Sequence, residues 1–346
     1  MRWIALGILA AVTFLLFEYD RSPEFVSGGG TSETLTQETL VAETRVLFTG
    51  DVFLGRDVER RNAGELVTRP LEIFDTFSDL DAVVINFEAP IPQTHAPTPD
   101  FGMQFSVSSR FLPVLADAGV THVSLANNHT LDHGTAGFEH TQESFRTHGI
   151  DPFGHPTQLT FDSISYIEST GHRLAVVGLH TLYGLPSTGD IHRVLSQATE
   201  TADMTVLYVH WGEEYQLQQS DEQEQLAHTL VAAGADLIIG HHPHVVQGIE
   251  IIDDVIVLYS LGNTIFDQYF STDVQEGILV ELVLKDDAAE LLLHPITSVG
   301  TPTVPRHMED ADRPSWLANL AGRSAESLRE EIAHGIIHVA RPLRND

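Results

Sequence analysis

The chain contains no cysteine and only one lysine, Lys285, among its 346 residues. Without cysteine it cannot form disulfides, thiolate metal sites or a cysteine nucleophile. Lysine and arginine together number 18 against 49 aspartates and glutamates, which gives a formal net charge of −31. Because phosphate contacts need clustered cations, this composition argues against a nucleic-acid binder. An anionic ligand would need a local positive site formed by metal, arginine and histidine.

The N-terminus carries an uncharged apolar run from Trp3 to Phe17, behind Arg2. Such a run is typical of a signal peptide or a short signal anchor, although it is a little shorter than the roughly 20 residues that span a bilayer as a helix. No small-x-small cleavage site follows closely. We therefore expect residues 1–20 to form an uncleaved, single-pass anchor in the cell membrane, with the remainder extracytoplasmic. A buried first helix is the alternative, disfavoured because residues 21–44 are polar and typical of a flexible linker.

After the linker, apolar segments that suit strands alternate with segments of helical periodicity. The first predicted strands are Arg45–Thr49, Asp81–Asn86 and His122–Ala126, and later ones are Arg173–Leu179, Met204–Val209, Leu237–Ile239, Val255–Ser260 and Gly277–Leu284. The predicted helices are Arg110–Ala118, Gly134–His148 and Asp221–Ala233, each followed by the glycine typical of a left-handed cap. This order predicts an α/β domain with a partly parallel sheet over residues 45–306. Residues 307–346 are predicted to form a polar, helical C-terminal extension, with one helix from about Pro314 to His334.

Polar clusters come directly after five of the predicted strands. The most informative follows Leu237–Ile239 and contains Gly240 and three histidines, of which His242 and His244 would project to the same side of an extended chain. The other clusters are Gly50-Asp51, Asn86 with Glu88, Asn127-Asn128-His129 and His210-Trp211-Gly212-Glu213. Because ligands of open α/β sheets bind at the carboxyl ends of the strands, we expect all five clusters to meet in one crevice.

The residue types in these clusters indicate a metal site. Carboxylate, amide and imidazole groups are oxygen and nitrogen ligands suited to Mn, Fe or Zn. One carboxylate able to bridge, together with several histidines, is the composition of a two-metal hydrolase site. The residues alone leave open whether one or two divalent ions bind.

Six motifs in order resemble those of the CapA family, the poly-γ-glutamate capsule biosynthesis proteins, a branch of the calcineurin-like metallophosphoesterase superfamily. They begin at Thr49-Gly50-Asp51, Asn86-Phe87-Glu88, Ala126-Asn127-Asn128-His129, His210-Trp211-Gly212-Glu213, Gly240-His241-His242-Pro243-His244 and Tyr259-Ser260-Leu261-Gly262-Asn263. The resemblance extends from about Arg45 to Pro295. It implies a four-layer fold, in which two packed mixed sheets are flanked by helices and metals bind at the strand ends.

The resemblance also implies roles for individual residues. The residues matched to metal ligands are Asp51, Glu88, Asn128, His210, His242 and His244, with Glu88 roughly where the superfamily has its bridging Asp. His129 matches the histidine usually described as the acid that protonates a leaving group. One position departs from the superfamily, because its first motif is Asp-x-His and Phe53 occupies the second ligand position. CapA-type proteins generally lack this histidine, so the departure belongs to the family.

Two further residues are candidates for the catalytic site. Arg56 lies one helical turn beyond Asp51 and could bind an anionic substrate group bidentately, and an ion-pair or helix-capping role is an equal alternative. Asp132 lies three residues from His129 and could orient its imidazole, and a helix N-cap is nearly as favoured.

Three functions are compatible with these observations. The first is a membrane-anchored, extracytoplasmic CapA-type protein that acts in synthesis, export or attachment of a poly-γ-glutamate or similar capsule polymer, beside synthetase or transport subunits. The second is a stand-alone metal-dependent phosphoesterase that uses metal-activated water and His129 as general acid. The third is a binding or scaffold subunit without turnover. The ligand would be an anionic polymer or a phosphoester, and whether the chain is an enzyme stays open.

Overall fold

The computed structural model describes residues 43–64, 67–99, 101–169, 171–285 and 288–339. The anchor predicted over 1–20 and nearly all of the linker predicted over 21–44 lie outside the described residues. Among the helices in these ranges, we find none with the length and apolar character needed to cross a membrane.

Strands and helices alternate through most of the described chain. The strands are β1 (Glu43–Val52), β2 (Ala82–Phe87), β3 (His122–Ser124), β4 (Asp151–Phe153), β5 (Ile164–Ser169), β6 (His172–His180), β7 (Met204–His210), β8 (Leu237–His241), β9 (Ile249–Ile252), β10 (Val255–Leu258), β11 (Asn263–Ile265), β12 (Glu276–Lys285), β13 (Ala289–Thr297), β14 (Arg306–His307) and β15 (Ile336–Val339). The α-helices are α1 (Arg56–Arg61), α2 (Phe111–Asp117), α3 (Gly134–Thr147), α4 (Thr188–Thr201), α5 (Asp221–Ala232), α6 (Arg313–Gly322) and α7 (Arg329–His334).

These strands form two mixed sheets. The first has the order β14-β13-β12-β1-β2-β3-β4, with β11 paired to β1 and β15 paired to β13. The second has the order β5-β6-β7-β8-β10-β9. In the first sheet β1 to β4 run parallel, and in the second β6, β7, β8 and β10 do. The carboxyl ends of these central strands therefore lie at one edge of each sheet.

The two sheets pack face to face, and the side chains of each strand alternate between this interface and the outer face of the sheet. Along β1, Val46 and Phe48 join the apolar core between the sheets, whereas Leu47 joins a separate core on the outer face. That outer core includes Phe111 of α2 and Phe145 of α3. A third core forms on the outer face of the second sheet, against α4 and α5. The predicted α/β fold, two mixed sheets flanked by helices, is confirmed.

The C-terminal region is built into this fold. The stretch predicted as a polar extension with one helix contains two α-helices and a strand, because residues 323–328, which end in a short 3₁₀ helix at Glu326–Leu328, separate α6 from α7. Leu320 and Ile332 of these helices are fully buried in the core between the sheets. Strand β15 then pairs antiparallel with β13 and buries Ile337 there. The described part of residues 307–346 is thus a structural component of the domain.

Candidate metal centre

The ends of β1, β2, β3, β7 and β8 meet in one crevice, as the strand order predicted. Glu88, directly after β2, lies at its centre. Its Oε1 is 3.9 Å from Nε2 of His129, 3.9 Å from Nε2 of His244 and 4.0 Å from Nε2 of His210. These side chains are delivered by different strands, so the crevice exists only in the folded chain.

The carboxylate of Glu88 is fully buried, and neither oxygen has a hydrogen-bond partner among the described residues. Leaving a buried carboxylate unpaired is costly. Burial and the nearby charge of Asp51 raise the pKa of Glu88 well above its ordinary value. Glu88, His242 and His244 also offer ligand atoms that all lie within 4.8 Å of one another. This donor set fits a divalent cation, which would satisfy the buried carboxylate.

His244 is held by two oxygen acceptors. Its Nδ1 lies 2.9 Å from Oδ1 of Asn263 and 3.2 Å from Oδ2 of Asp51, so Nδ1 carries a proton and Nε2 faces Glu88. Burial opposes its charge, but Glu88 and Asp51 raise the pKa of His244 to about 9. A cation that binds at Nε2 would displace the proton held there.

Asp51 lies at the end of β1 and is completely buried. Its Oδ1 accepts a hydrogen bond of 2.7 Å from Nδ2 of Asn86, and its Oδ2 accepts one of 3.2 Å from the backbone N–H of His242. Although burial disfavours its charge, the hydrogen bond from His244 and nearby imidazoles hold the pKa of Asp51 below its ordinary value. Asp51 therefore joins the strand end of β1 to the histidine turn.

His210 lies opposite Asn128. Its Nε2 is 2.8 Å from Oδ1 of Asn128, and its Nδ1 is 3.2 Å from Nδ2 of Asn86. Burial and the neighbouring His242 lower the pKa of His210 well below its ordinary value. Burial and His244 likewise lower the pKa of His242 to about 3. Both imidazoles are therefore neutral, which is the form that binds metals.

The backbone after β8 differs from the extended chain that the sequence suggested. The strand ends at His241, and the next histidines adopt left-handed conformations, with φ of 96° at His242 and 58° at His244. Convergence of these two side chains thus comes from a turn and not from strand alternation, so that part of the prediction was wrong. His241 stays in the sheet, where its Nδ1 donates to the carbonyl oxygen of Val209 at 2.8 Å.

His129 is positioned by a carboxylate and an aromatic ring. Its Nδ1 lies 2.8 Å from Oδ2 of Asp132, so Nε2 faces Glu88. The alternative of a helix cap does not describe Asp132, because the N-cap of α3 is His133. Phe105 stacks on the imidazole with 3.7 Å between ring centroids and 15° between planes. Sequence reasoning missed Phe105, which is distant in the chain and belongs to no motif.

Arg56 is engaged in an ion pair. Its guanidinium bonds both oxygens of Asp267, and its Cζ lies 4.6 Å from the centroid of the Phe105 ring. This matches the ion-pair alternative for Arg56. Contact between Arg56 and a substrate stays a prediction. Asp267, to which spacing alone assigned no role, is the ion-pair partner of Arg56.

Fold and site together define an α/β protein with a cluster of buried carboxylates and imidazoles at the strand ends. The chain belongs to the family described as "Bacterial capsule synthesis protein PGA_cap", which matches residues 45–268. This confirms the resemblance to CapA proteins.

Two relatives are similar over most of the domain. The chain is 33% identical to the PGA biosynthesis protein CapA of Bacillus subtilis over 257 residues, which cover 69% of this chain and 67% of that one. It is 31% identical to the capsule biosynthesis protein CapA of Bacillus anthracis over 267 residues, which cover 70% and 64%. The chain thus spans about two thirds of the length of these relatives.

A solved structure, a hypothetical protein from Thermus thermophilus, is similar with a TM-score of 0.51 and 20% identity. The similarity covers 77% of this chain and 100% of that one, and it bears on the fold alone.

Proposed function

We propose that this chain acts in the synthesis or export of poly-γ-glutamate or a similar anionic capsule polymer. Membership of the capsule synthesis family over residues 45–268 is the observation that carries this proposal. The names of the two Bacillus relatives point to the same process. Synthetase and transport subunits would be its partners.

The crevice would act as a metal centre in this process. Glu88, His242 and His244 would hold a divalent ion, Mn, Fe or Zn, with Asp51, Asn128 and His210 beside them or as further ligands. When bound, such an ion supplies Lewis-acid chemistry and lowers the pKa of water. The chain's own contribution is to hold neutral imidazoles and a buried carboxylate in place around it.

The site of action would be the outer face of the cell membrane. Residues 1–20 would anchor the chain and residues 21–44 would link the anchor to the domain. This placement would bring the crevice to a polymer as it leaves the cell.

Complementation tests the capsule role. In a capsule-forming bacterium that lacks its own CapA protein, the wild-type chain should restore the polymer, and Glu88→Gln should not. Glu143→Gln, which changes an exposed glutamate of α3, is the matched control and should restore it. Restoration by Glu88→Gln would reject the crevice as the functional site, and no restoration by the wild type would reject the capsule role.

A stand-alone phosphoesterase is a second candidate. The observation in its favour is the pair of His129 and Asp132, in which Nδ1 is fixed by the carboxylate and Nε2 faces the crevice. There His129 would donate a proton to a leaving group. Metal-dependent hydrolysis of p-nitrophenyl phosphate, lost in His129→Gln, would support this function, and no turnover with Mn, Fe or Zn would reject it.

A further inference from the structure

A cleft of ≈ 610 Å³ opens above the metal centre, with His129 and His244 among the residues that line it. We use the term rim for six side chains at its outer edge. They are Arg60, Arg61, Phe101, Met103, Tyr215 and Phe270. The rim combines cationic and apolar groups, and both kinds are presented to solvent.

The outward charge of the rim is positive, although the whole chain carries −31. Arg60 and Arg61 both pair with Asp57, yet their side chains are 57% and 53% exposed whereas that of Asp57 is 13% exposed. Of the other acids that line the cleft, Asp267 lies beneath, in its ion pair with Arg56, and Glu214 is half-buried. An anion approaching the cleft would therefore meet guanidinium groups first.

The apolar part of the rim is unusually exposed. Phe101 is 96% exposed, Phe270 is 66% exposed and Met103 is 63% exposed. Tyr215 meets Phe270 edge to face, with 4.9 Å between centroids. Exposed apolar groups beside a cleft mark a surface that contacts a ligand. Inorganic phosphate or a small phosphoester would use the arginines and leave these rings in water.

We infer that the rim binds an acidic chain whose backbone carries methylene groups, as γ-linked glutamate does. Arg60 and Arg61 would pair with its carboxylates, and Phe101 and Phe270 would cover its methylene groups. This places the polymer directly over the metal centre. The inference rests on the proposed capsule function, and it adds the surface of this chain that would hold the polymer.

Equilibrium binding of a fluorescent γ-linked glutamate oligomer to the full-length chain tests this inference. Arg60→Gln combined with Arg61→Gln should weaken binding, by roughly fivefold for each arginine, and should reduce its salt dependence. Phe101→Ser combined with Phe270→Ser should also weaken binding but leave the salt dependence unchanged. A neutral glutamine oligomer of the same length should bind to none of them.

Matched controls use residues outside the cleft lining. Arg146→Gln changes an exposed arginine of α3, and Phe161→Ser changes a phenylalanine that is 49% exposed. Both should bind like the wild type. Unchanged binding in the two rim variants, or displacement of the oligomer by an equal concentration of inorganic phosphate, would overturn the inference. The rim variants should keep their bound metal, so elemental analysis tests the metal centre independently of polymer binding. Complementation tests the capsule role independently of both.

Discussion

Phe53 lies two residues beyond Asp51, at the position where the resemblance led us to look for a histidine ligand, and its ring is fully buried. It stacks on Phe105 with 4.3 Å between centroids, and Phe105 in turn stacks on His129 at 3.7 Å. A residue that cannot bind a metal thus belongs to an aromatic stack that supports the imidazole facing Glu88. The sequence identified Phe53 as a departure, but its partner Phe105 could be found only from the fold.

Removal of the Phe105 ring should release the imidazole of His129 from its stack while the chain stays folded. Phe105→Leu should move the ring-proton NMR signals of His129 downfield, because the ring current of Phe105 is lost, whereas Phe105→Tyr should keep them in place. The leucine variant should also lose about 0.5–1.5 kcal/mol of stability from the stack. Identical His129 shifts in wild type and Phe105→Leu would show that the rings are not stacked in solution.

Glu281 provides a pH-dependent contribution to stability away from the candidate metal centre. Its Oε2 lies 3.0 Å from Nε2 of His294, and its Oε1 lies 2.7 Å from a guanidinium nitrogen of Arg45. The hydrogen bond from His294 lowers the pKa of Glu281 from 4.5; burial opposes this shift and Arg45 adds to it. The folded state therefore favours the charged form. This stability is complete above pH 4.5 and is lost as the pH falls through the lower pKa of the folded chain.

Glu281→Gln should lower the free energy of unfolding by about 1–2 kcal/mol near neutral pH, because charge-assisted hydrogen bonds are lost. The difference from wild type should shrink as the pH falls from 4.5 through the lower pKa of Glu281 in the folded chain, where the wild-type carboxylate also loses its charge. Urea denaturation across this range measures both values. A difference in unfolding free energy that stays constant with pH would show that the charge of Glu281 does not provide this stability.

At the scale of elements, β8 and the turn after it place the histidines. Gly240 precedes them at a close approach, where an added Cβ would lie 2.1 Å from the carbonyl oxygen of Tyr259 and 2.4 Å from Nε1 of Trp211. Trp211 donates its Nε1–H to that same oxygen at 2.8 Å. Glycine at this position therefore lets β8 pack against the segment that follows β10.

Gly240→Ala should destabilise the domain by about 3 kcal/mol or more, because neither the carbonyl group nor the indole can move without breaking their hydrogen bond. Gly322→Ala is the matched control, since a Cβ there has open space and Ala favours the helix. Thermal unfolding of both variants compares them directly. Equal melting temperatures would contradict the close approach.

Leu320 tests the structural role of the C-terminal region. It is fully buried in the core between the sheets, and its neighbour Asn319 is exposed. Leu320→Ala should cost about 2–5 kcal/mol, whereas Asn319→Ala should change stability little. Chemical denaturation measures both changes. A small loss of unfolding free energy in Leu320→Ala would indicate that this region is the polar extension suggested by its composition.

The sequence predicted most central elements to within a few residues, because apolar runs and capping glycines mark them. Strands β6, β7 and β8 and helices α3 and α5 agree closely with their predicted ranges. Short strands such as β4 and β11 were not predicted, since three residues carry too little pattern to distinguish them from loops. The helices of the C-terminal region were predicted as one, and their burial was missed because polar residues outnumber the apolar ones that face the core.

At the scale of the whole molecule, the site was predictable wherever a strand end determines position. Glu88 directly follows β2 and His210 ends β7, so the parallel order of the strands brings them together, whereas His244 reaches them only through the turn after β8. Asn263, which binds Nδ1 of His244, was recognised only as part of a motif, because its contact depends on the pairing of β11 with β1. The charge of −31 likewise gives no indication that exposed arginines surround the cleft.

The most direct test of the central claim is the metal content of the full-length chain, measured by elemental analysis after dialysis against Mn, Fe and Zn. We predict one or two divalent ions in the wild type and loss of bound metal in Glu88→Gln and His242→Ala. Circular dichroism should show both variants folded, and the metal should raise the stability of the wild type alone, by about 2.7 kcal/mol at a concentration 100 times its Kd. A wild-type chain that binds no metal, or variants that bind it equally well, would contradict the assignment of this crevice as a metal centre.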